Sequence, residues 1–191
     1  LGLATVMPGE PGAVDVLREA FDAGLRGVKL HCHVQSVSVD APELRHIFEL
    51  VAERGLPCVV HAGREPVSSA YRTHPHSICS AARVERVLVE HPKLRLCVPH
   101  LGADEFDAYG RLLERFDNLW LDTTMMVAGY FPGVTPFDLV ERRPERILYG
   151  TDFPNIPYAW DREVRALEGR LRPDDLERVL GGTARELFAI D

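Results

Sequence analysis

The chain lacks long apolar runs, paired cysteines at metal- or disulfide-type spacing, a surplus of basic residues and a glycine-rich nucleotide fingerprint. Each absence removes a class of function. Short apolar runs bounded by charge give nothing that spans a membrane. With 22 basic against 29 acidic side chains the formal charge is −7, without the clustered Lys and Arg that track a phosphate backbone, which argues against nucleic acid as a partner. Cys32, Cys58, Cys79 and Cys97 form no CxxC pair, and Cys58 and Cys97 sit in apolar strands. They read as buried free thiols of a reducing, cytoplasmic compartment, not as a thiolate zinc site. No GxGxxG follows the first apolar run, which weakens a dinucleotide-binding reading. The opening LGLATVMPGEPG has neither a basic leader nor a signal-type core, and it starts without Met, almost inside a strand. It reads as a chain cut at its front.

What is present is an alternation. At 191 residues and 46% hydrophobic content the chain suits one domain spanning 1–191. Apolar runs occur at Leu3–Val6, Gly27–Leu30, Pro57–Val60, Leu94–Val98, Leu119–Leu121 and Ile147–Tyr149. Amphipathic stretches separate them: Val14–Ala23; Ala41–Arg54 with Asp40 as its expected N-cap; Ala81–Glu90; Ala103–Phe116; and a short helix opened by Thr135-Pro136. Three more follow near Arg162–Leu171, Pro173–Leu180 and Thr183–Phe188. Strands joined through single helices need crossovers, hence a parallel sheet. The repeat of about thirty residues is that of a (β/α)8 TIM barrel or a doubly wound sheet. Six strands are visible where a barrel needs eight, so the expectation is a partial barrel lacking its first two βα units. Its open edges would invite homo-oligomers.

Three strands end on polar residues: LPCVVHAG on His61, LRLCVPHLG on His100 and ILYGTDFPN on Asp152. Alternation puts His61 in phase with Val59, His100 with Leu96 and Val98, and Asp152 with Leu148 and Gly150. In a barrel such strand ends share one mouth. His61 and Asp152 suit a divalent ion such as zinc, which would activate water. Asp152 would also accept a proton, and His100 would transfer one or polarise a carbonyl.

GVKLHCHVQ carries an HxH, His31 and His33, placed on the fourth strand because His61 follows only one unit later. Lys29 and His31 look into the barrel and are candidates for substrate binding; rim structure explains His33 equally well. Arg64 either grips a substrate carboxylate or pairs with Glu65 on the surface. Of Asp122, Thr123 and Thr124, a threonine faces the mouth and Asp122 braces a loop. Met125, Met126, Tyr130 and Phe131 read as an apolar wall or as helix packing.

GVKLH, VVHAG, LCVPHLG, LDTT, YGTDFP and LGGTARELF together resemble the amidohydrolase-related (amidohydrolase 2) family of metal-dependent TIM-barrel hydrolases, a group similar to aminocarboxymuconate-semialdehyde decarboxylase. The resemblance implies a distorted TIM barrel with one zinc or related ion such as Mn2+. It makes His61 the fifth-strand metal ligand, His100 the sixth-strand catalytic histidine, and Asp152 the eighth-strand ligand and proton acceptor. The family's first-strand HxH has no counterpart here, so weak zinc binding and little turnover are expected of this polypeptide. The leading expectation is a hydrolase of a small organic acid, lactone or amide acting through metal-activated water. The alternatives are a nonoxidative decarboxylase of an aromatic or unsaturated carboxylate, and a non-catalytic remnant.

Overall fold

The computed structural model describes residues 1–63, 69, 71–131, 133 and 136–190. Among them run β1 (Val28–His31), β2 (Pro57–His61), β3 (Arg95–Val98), β4 (Leu119–Asp122) and β5 (Ile147–Leu148). The helices are α1 (Ala13–Asp22), α2 (Cys32–Gln35), α3 (Arg45–Glu53), α4 (Pro75–Ile78) and α5 (Ala81–Glu90), then α6 (Phe106–Arg115), α7 (Phe137–Arg142), α8 (Arg162–Glu168), α9 (Pro173–Glu177) and α10 (Thr183–Phe188).

The sheet is parallel throughout and its order follows the chain, β1-β2-β3-β4-β5. Helices intervene because parallel neighbours cannot be joined by a tight turn. The first apolar run, expected as a strand, contributes a single parallel bridge from Ala4 to Val28. The Ala4 N–H donates to the Gly27 carbonyl at 2.9 Å and the Lys29 N–H to the Ala4 carbonyl at 2.8 Å.

Alternate strand residues build two cores. Val28 and Leu30, Cys58 and Val60, Leu96 and Val98, and Leu119 and Leu121 are fully buried against the helices. The helices meet them with residues spaced for one face, such as Leu17 and Phe21 of α1 or Val84, Val87 and Leu88 of α5. Each fully buried aliphatic side chain contributes about 1.5–3 kcal/mol. On the opposite sheet face Val59, Cys97, Trp120 and Leu148 form a smaller cluster with Leu187 and Phe188 of α10. That helix is tied to the strand starts, since Arg95 donates to the Glu186 carbonyl at 2.8 Å and Arg26 to that of Ala189 at 3.4 Å. The four cysteines are buried thiols, and burial raises those of Cys58 and Cys97 well above their usual range.

Several local expectations need correction. Asp40 caps no helix: a 3-10 turn, Pro42–Leu44, leads into α3, and neither start has a side-chain cap. Its carboxylate instead receives Arg83 at 2.8 Å, Arg86 at 2.6 Å and the Ser38 hydroxyl at 2.5 Å. Two guanidinium ions hold a carboxylate more strongly than a backbone N–H does. Pro136 precedes the first residue of α7 instead of occupying it, and Thr135 lies outside the described residues. The helix expected over Ala103–Phe116 starts only at Phe106, because Ala103 and Glu105 belong to a turn.

Candidate metal centre at the strand ends

His31 and His61 are register partners on adjacent parallel strands. Their side chains therefore project from the same face one strand spacing apart. The rings stack with centroids 3.9 Å apart and planes 8° from parallel. Two imidazolium ions would repel at that distance, so stacking suits neutral rings, the form that ligates a metal. Directly after β1 the chain turns into α2, which carries His33 back over the strand ends. The His33 ring lies 5.2 Å from that of His61 and 5.6 Å from that of His31. The Gln35 side chain fixes this turn: its oxygen accepts from the His31 N–H at 2.8 Å, and its amide donates to the Val6 carbonyl at 2.7 Å.

One ligand nitrogen from each of His31, His33 and His61 lies within 4.8 Å of the others. Three imidazoles are an appropriate donor set for a borderline divalent ion. A tetrahedral site with bonds of 2.0–2.1 Å spaces its donors ~3.3 Å apart, so small ring rotations would close this one. The residues fit such an ion in kind and in reach.

His100 joins the group from the other side, its ring 4.8 Å from that of His61. Strand phase does not deliver it. Leu96 and Val98, its expected companions, face the helices, and β3 has ended at Val98. A left-handed turn does the work, with φ of 57° at His100, 51° at Leu101 and 74° at Gly102. Non-glycine residues in that region carry strain, which the surroundings must offset. Asp122 does so, its Oδ1 accepting from the His100 N–H and the Thr124 N–H, both at 3.1 Å. Gly102 is required: besides its φ, a Cβ there would lie 2.0 Å from the Tyr109 ring. Gly63 is required too, because a Cβ would meet the Ala103 carbonyl at 2.4 Å. The glycines of HAG and PHLG thus bring the two loops together.

The His100 Nδ1 lies 3.1 Å from the Thr124 carbonyl oxygen. A carbonyl only accepts, so Nδ1 carries the proton and Nε2 is the nitrogen left for chemistry. Both His61 and His100 are buried.

The other sequence candidates fall around this group. Lys29 is half-buried on the sheet face that carries His31. Asp152 is exposed in the loop after β5, at φ 65°, and among the described residues the metal-capable group does not include it. Arg64 and Glu65 lie outside the described residues. Asp122 braces the loop, as its residue type and position suggested. Thr123 and Thr124 are buried, and Tyr130 is an exposed aromatic with its ring 5.4 Å from that of Tyr158. Sequence reasoning missed Glu163, which is fully buried; the available signal was its place four residues before Leu167, on the apolar face of α8.

A family model described as "Amidohydrolase" (the amidohydrolase 2 type) matches residues 1–190. The chain belongs to the amidohydrolase family. It is thereby a member of a family of metal-dependent enzymes. Its fold is of the TIM-barrel type: an uncharacterised TIM-barrel protein of Bordetella bronchiseptica superposes with a TM-score of 0.80 at 22% identity, covering 98% of this chain and 66% of that one. A 2,6-dihydroxybenzoate decarboxylase from Rhizobium superposes with a TM-score of 0.72 at 19% identity, over 99% of this chain and 71% of that one. A variant 5-carboxyvanillate decarboxylase from Novosphingobium aromaticivorans, with bound manganese and 3-methoxy-4-hydroxy-5-nitrobenzoic acid, gives a TM-score of 0.70 at 17% identity, over 100% of this chain and 65% of that one. The chain thus spans about two thirds of the length of the structures it matches. Comparison with curated proteins gives no match. No helix among the described residues is long and apolar enough to cross a membrane.

Proposed function

We propose that this chain carries the site of a divalent-metal-dependent, nonoxidative decarboxylase acting on a small hydroxylated aromatic carboxylate. The observation that carries the reading is the convergence of His31, His33 and His61 beside a fourth imidazole, His100, whose Nδ1 is committed to a carbonyl. The decarboxylases among the structural relatives favour this reaction over the hydrolysis expected first from the sequence. His31, His33 and His61 would hold the ion, zinc or manganese, with Asp152 as a further ligand from the loop after β5. When bound, the ion supplies a positive charge that orients the substrate's carboxylate and hydroxyl oxygens.

The chain's own residues do the rest. Lys29 adds positive charge behind the site, and Arg64 follows the His61 strand closely enough in sequence to assist. Tyr130 and Tyr158, whose rings lie 5.4 Å apart, would offer flat apolar surface should an aromatic ring reach them. In the reaction the ring carbon–carboxyl bond breaks and its electron pair stays on carbon. His100, its Nδ1–H held by the Thr124 carbonyl, takes up a proton from solvent on Nε2 and delivers that proton to the carbon, and carbon dioxide leaves. The Thr124 carbonyl stabilises the imidazolium through Nδ1–H, so proton delivery requires no ring flip. The substrate is a small molecule, and no nucleic acid or membrane enters the reading.

The test is to load the protein with Mn2+ or Zn2+ and incubate it with hydroxybenzoates and, separately, with lactones. Carbon dioxide from a hydroxybenzoate, lost in His100→Asn, is the expected result. Lactone opening without any carbon dioxide would overturn the decarboxylase reading in favour of a hydrolase.

A further inference from the structure

The short helix α2 lies at the surface, with Val34 66% exposed, yet His33 beside it is fully buried. The rings of His31 and His61 cover part of it. A residue from another segment covers more: the Tyr71 ring lies 5.2 Å from the His33 ring, with the two planes inclined by 55°. Tyr71 belongs to the loop after β2 and is itself half-buried. A tilted approach of this kind is a favourable one for two aromatic rings.

Backbone hydrogen bonds fix the segment that carries Tyr71. The Gly63 N–H donates to the Cys79 carbonyl at 3.0 Å, which draws the two ends of the loop together. Shortly after Tyr71 the chain forms α4, where Pro75 and Ile78 are buried. The Ile78 carbonyl accepts from the Val39 N–H at 3.0 Å and from the Ser38 hydroxyl at 3.2 Å, so α4 is tied to the residues that follow α2. Tyr71 and His33 thus stand on segments anchored to each other. His100 meets the imidazole group through His61, whereas Tyr71 meets it through His33. The proton carrier and the phenol ring therefore approach the centre by way of different ligands.

We propose that Tyr71 is a specificity-determining residue: its ring walls the centre on the His33 side and limits the size of the aromatic carboxylate that reaches the ion. The inference rests on the reading of the centre as one that takes a hydroxylated aromatic carboxylate, and it concerns the substrate's size, not the bond that breaks. A single benzoate ring would lie against Tyr71, whereas a second fused ring would need the volume that Tyr71 fills. Filled volume rejects the larger group because overpacking forces side chains and backbone out of place. Tyr71→Phe keeps the wall, and Tyr71→Ala removes it.

The test is calorimetric titration of Mn2+-loaded protein with a hydroxybenzoate and with a hydroxynaphthoate carrying the same adjacent carboxylate and hydroxyl. Wild type and Tyr71→Phe are expected to bind the hydroxynaphthoate roughly tenfold or more weakly than the hydroxybenzoate. In Tyr71→Ala that gap is expected to close, while Mn2+ affinity stays as in wild type. A gap unchanged in folded Tyr71→Ala, or a Tyr71→Phe as permissive as the alanine variant, would overturn the proposal. So would Mn2+ affinity lost in Tyr71→Ala, which would make the ring a prop for the ligands. Should the alanine variant not fold, the carbon-13 signals of the wild-type Tyr71 ring decide. Broadening by Mn2+ that zinc does not cause supports the proposal, and signals indifferent to the metal overturn it. Binding of neither carboxylate to any variant would overturn this inference and the decarboxylase reading together. A size gap governed by Tyr71, with no carbon dioxide from any hydroxybenzoate, would sink that reading alone.

Discussion

At the starts of the strands, Trp120 lies between the guanidinium groups of Arg95, at 5.7 Å, and Arg146, at 4.6 Å, and the arginines donate to backbone carbonyls. At the ends of the same strands, four imidazoles gather and non-glycine residues adopt left-handed backbone at His100, Leu101, Met125 and Asp152. One end consists of satisfied donors over an apolar plug. The other holds polar side chains in costly conformations, fixed by Asp122, Gln35 and close-packed glycines. Strain and buried polarity concentrated at one rim indicate a site, whereas the opposite rim serves stability.

Substitutions should separate the two ends. His61→Ala has the largest expected effect: removing the central imidazole should lower Mn2+ or Zn2+ affinity by roughly 100-fold or more, read by calorimetry, with little change in urea stability. Trp120→Ala should do the reverse, costing about 2–4 kcal/mol in urea unfolding while leaving metal affinity intact. Gly102→Ala joins the two measures, since its Cβ would strike the Tyr109 ring. It should cost about 2–3 kcal/mol and also displace His100, lowering turnover.

The Asp40 clamp ties the loop after α2 to α5 and supplies a control. Burial raises its pKa, but the hydrogen bonds from Ser38, Arg86 and Arg83 outweigh that and bring it from 3.8 to about 2. A carboxylate depressed by folding stabilises above its unfolded pKa and loses that contribution as pH falls through the folded one. Asp40→Asn should therefore cost about 1–2 kcal/mol at pH 7, allowing for solvent screening, with the difference disappearing between about pH 4 and pH 2. Metal binding should not change.

The strands were legible because each is a short apolar run closed by a turn, and α5 and α10 keep the limits their periodicity implies. His61 was legible as a polar strand end. Its partnership with His31 was not, since it depends on which residues fall opposite each other across β1 and β2, a register the spacing leaves open. His100 was expected at the mouth for the wrong reason: alternation would have turned it toward the helices, and three left-handed residues bring it round instead. Asp40 looked like a cap because the arginines that claim it lie more than forty residues on. Such long-range competition for a carboxylate leaves no local trace.

X-ray absorption on zinc-loaded protein tests the central claim most directly, because it counts the imidazoles around the ion. The account predicts three, falling to one in the His31→Ala/His33→Ala double variant. An imidazole count unchanged by that double substitution would contradict it.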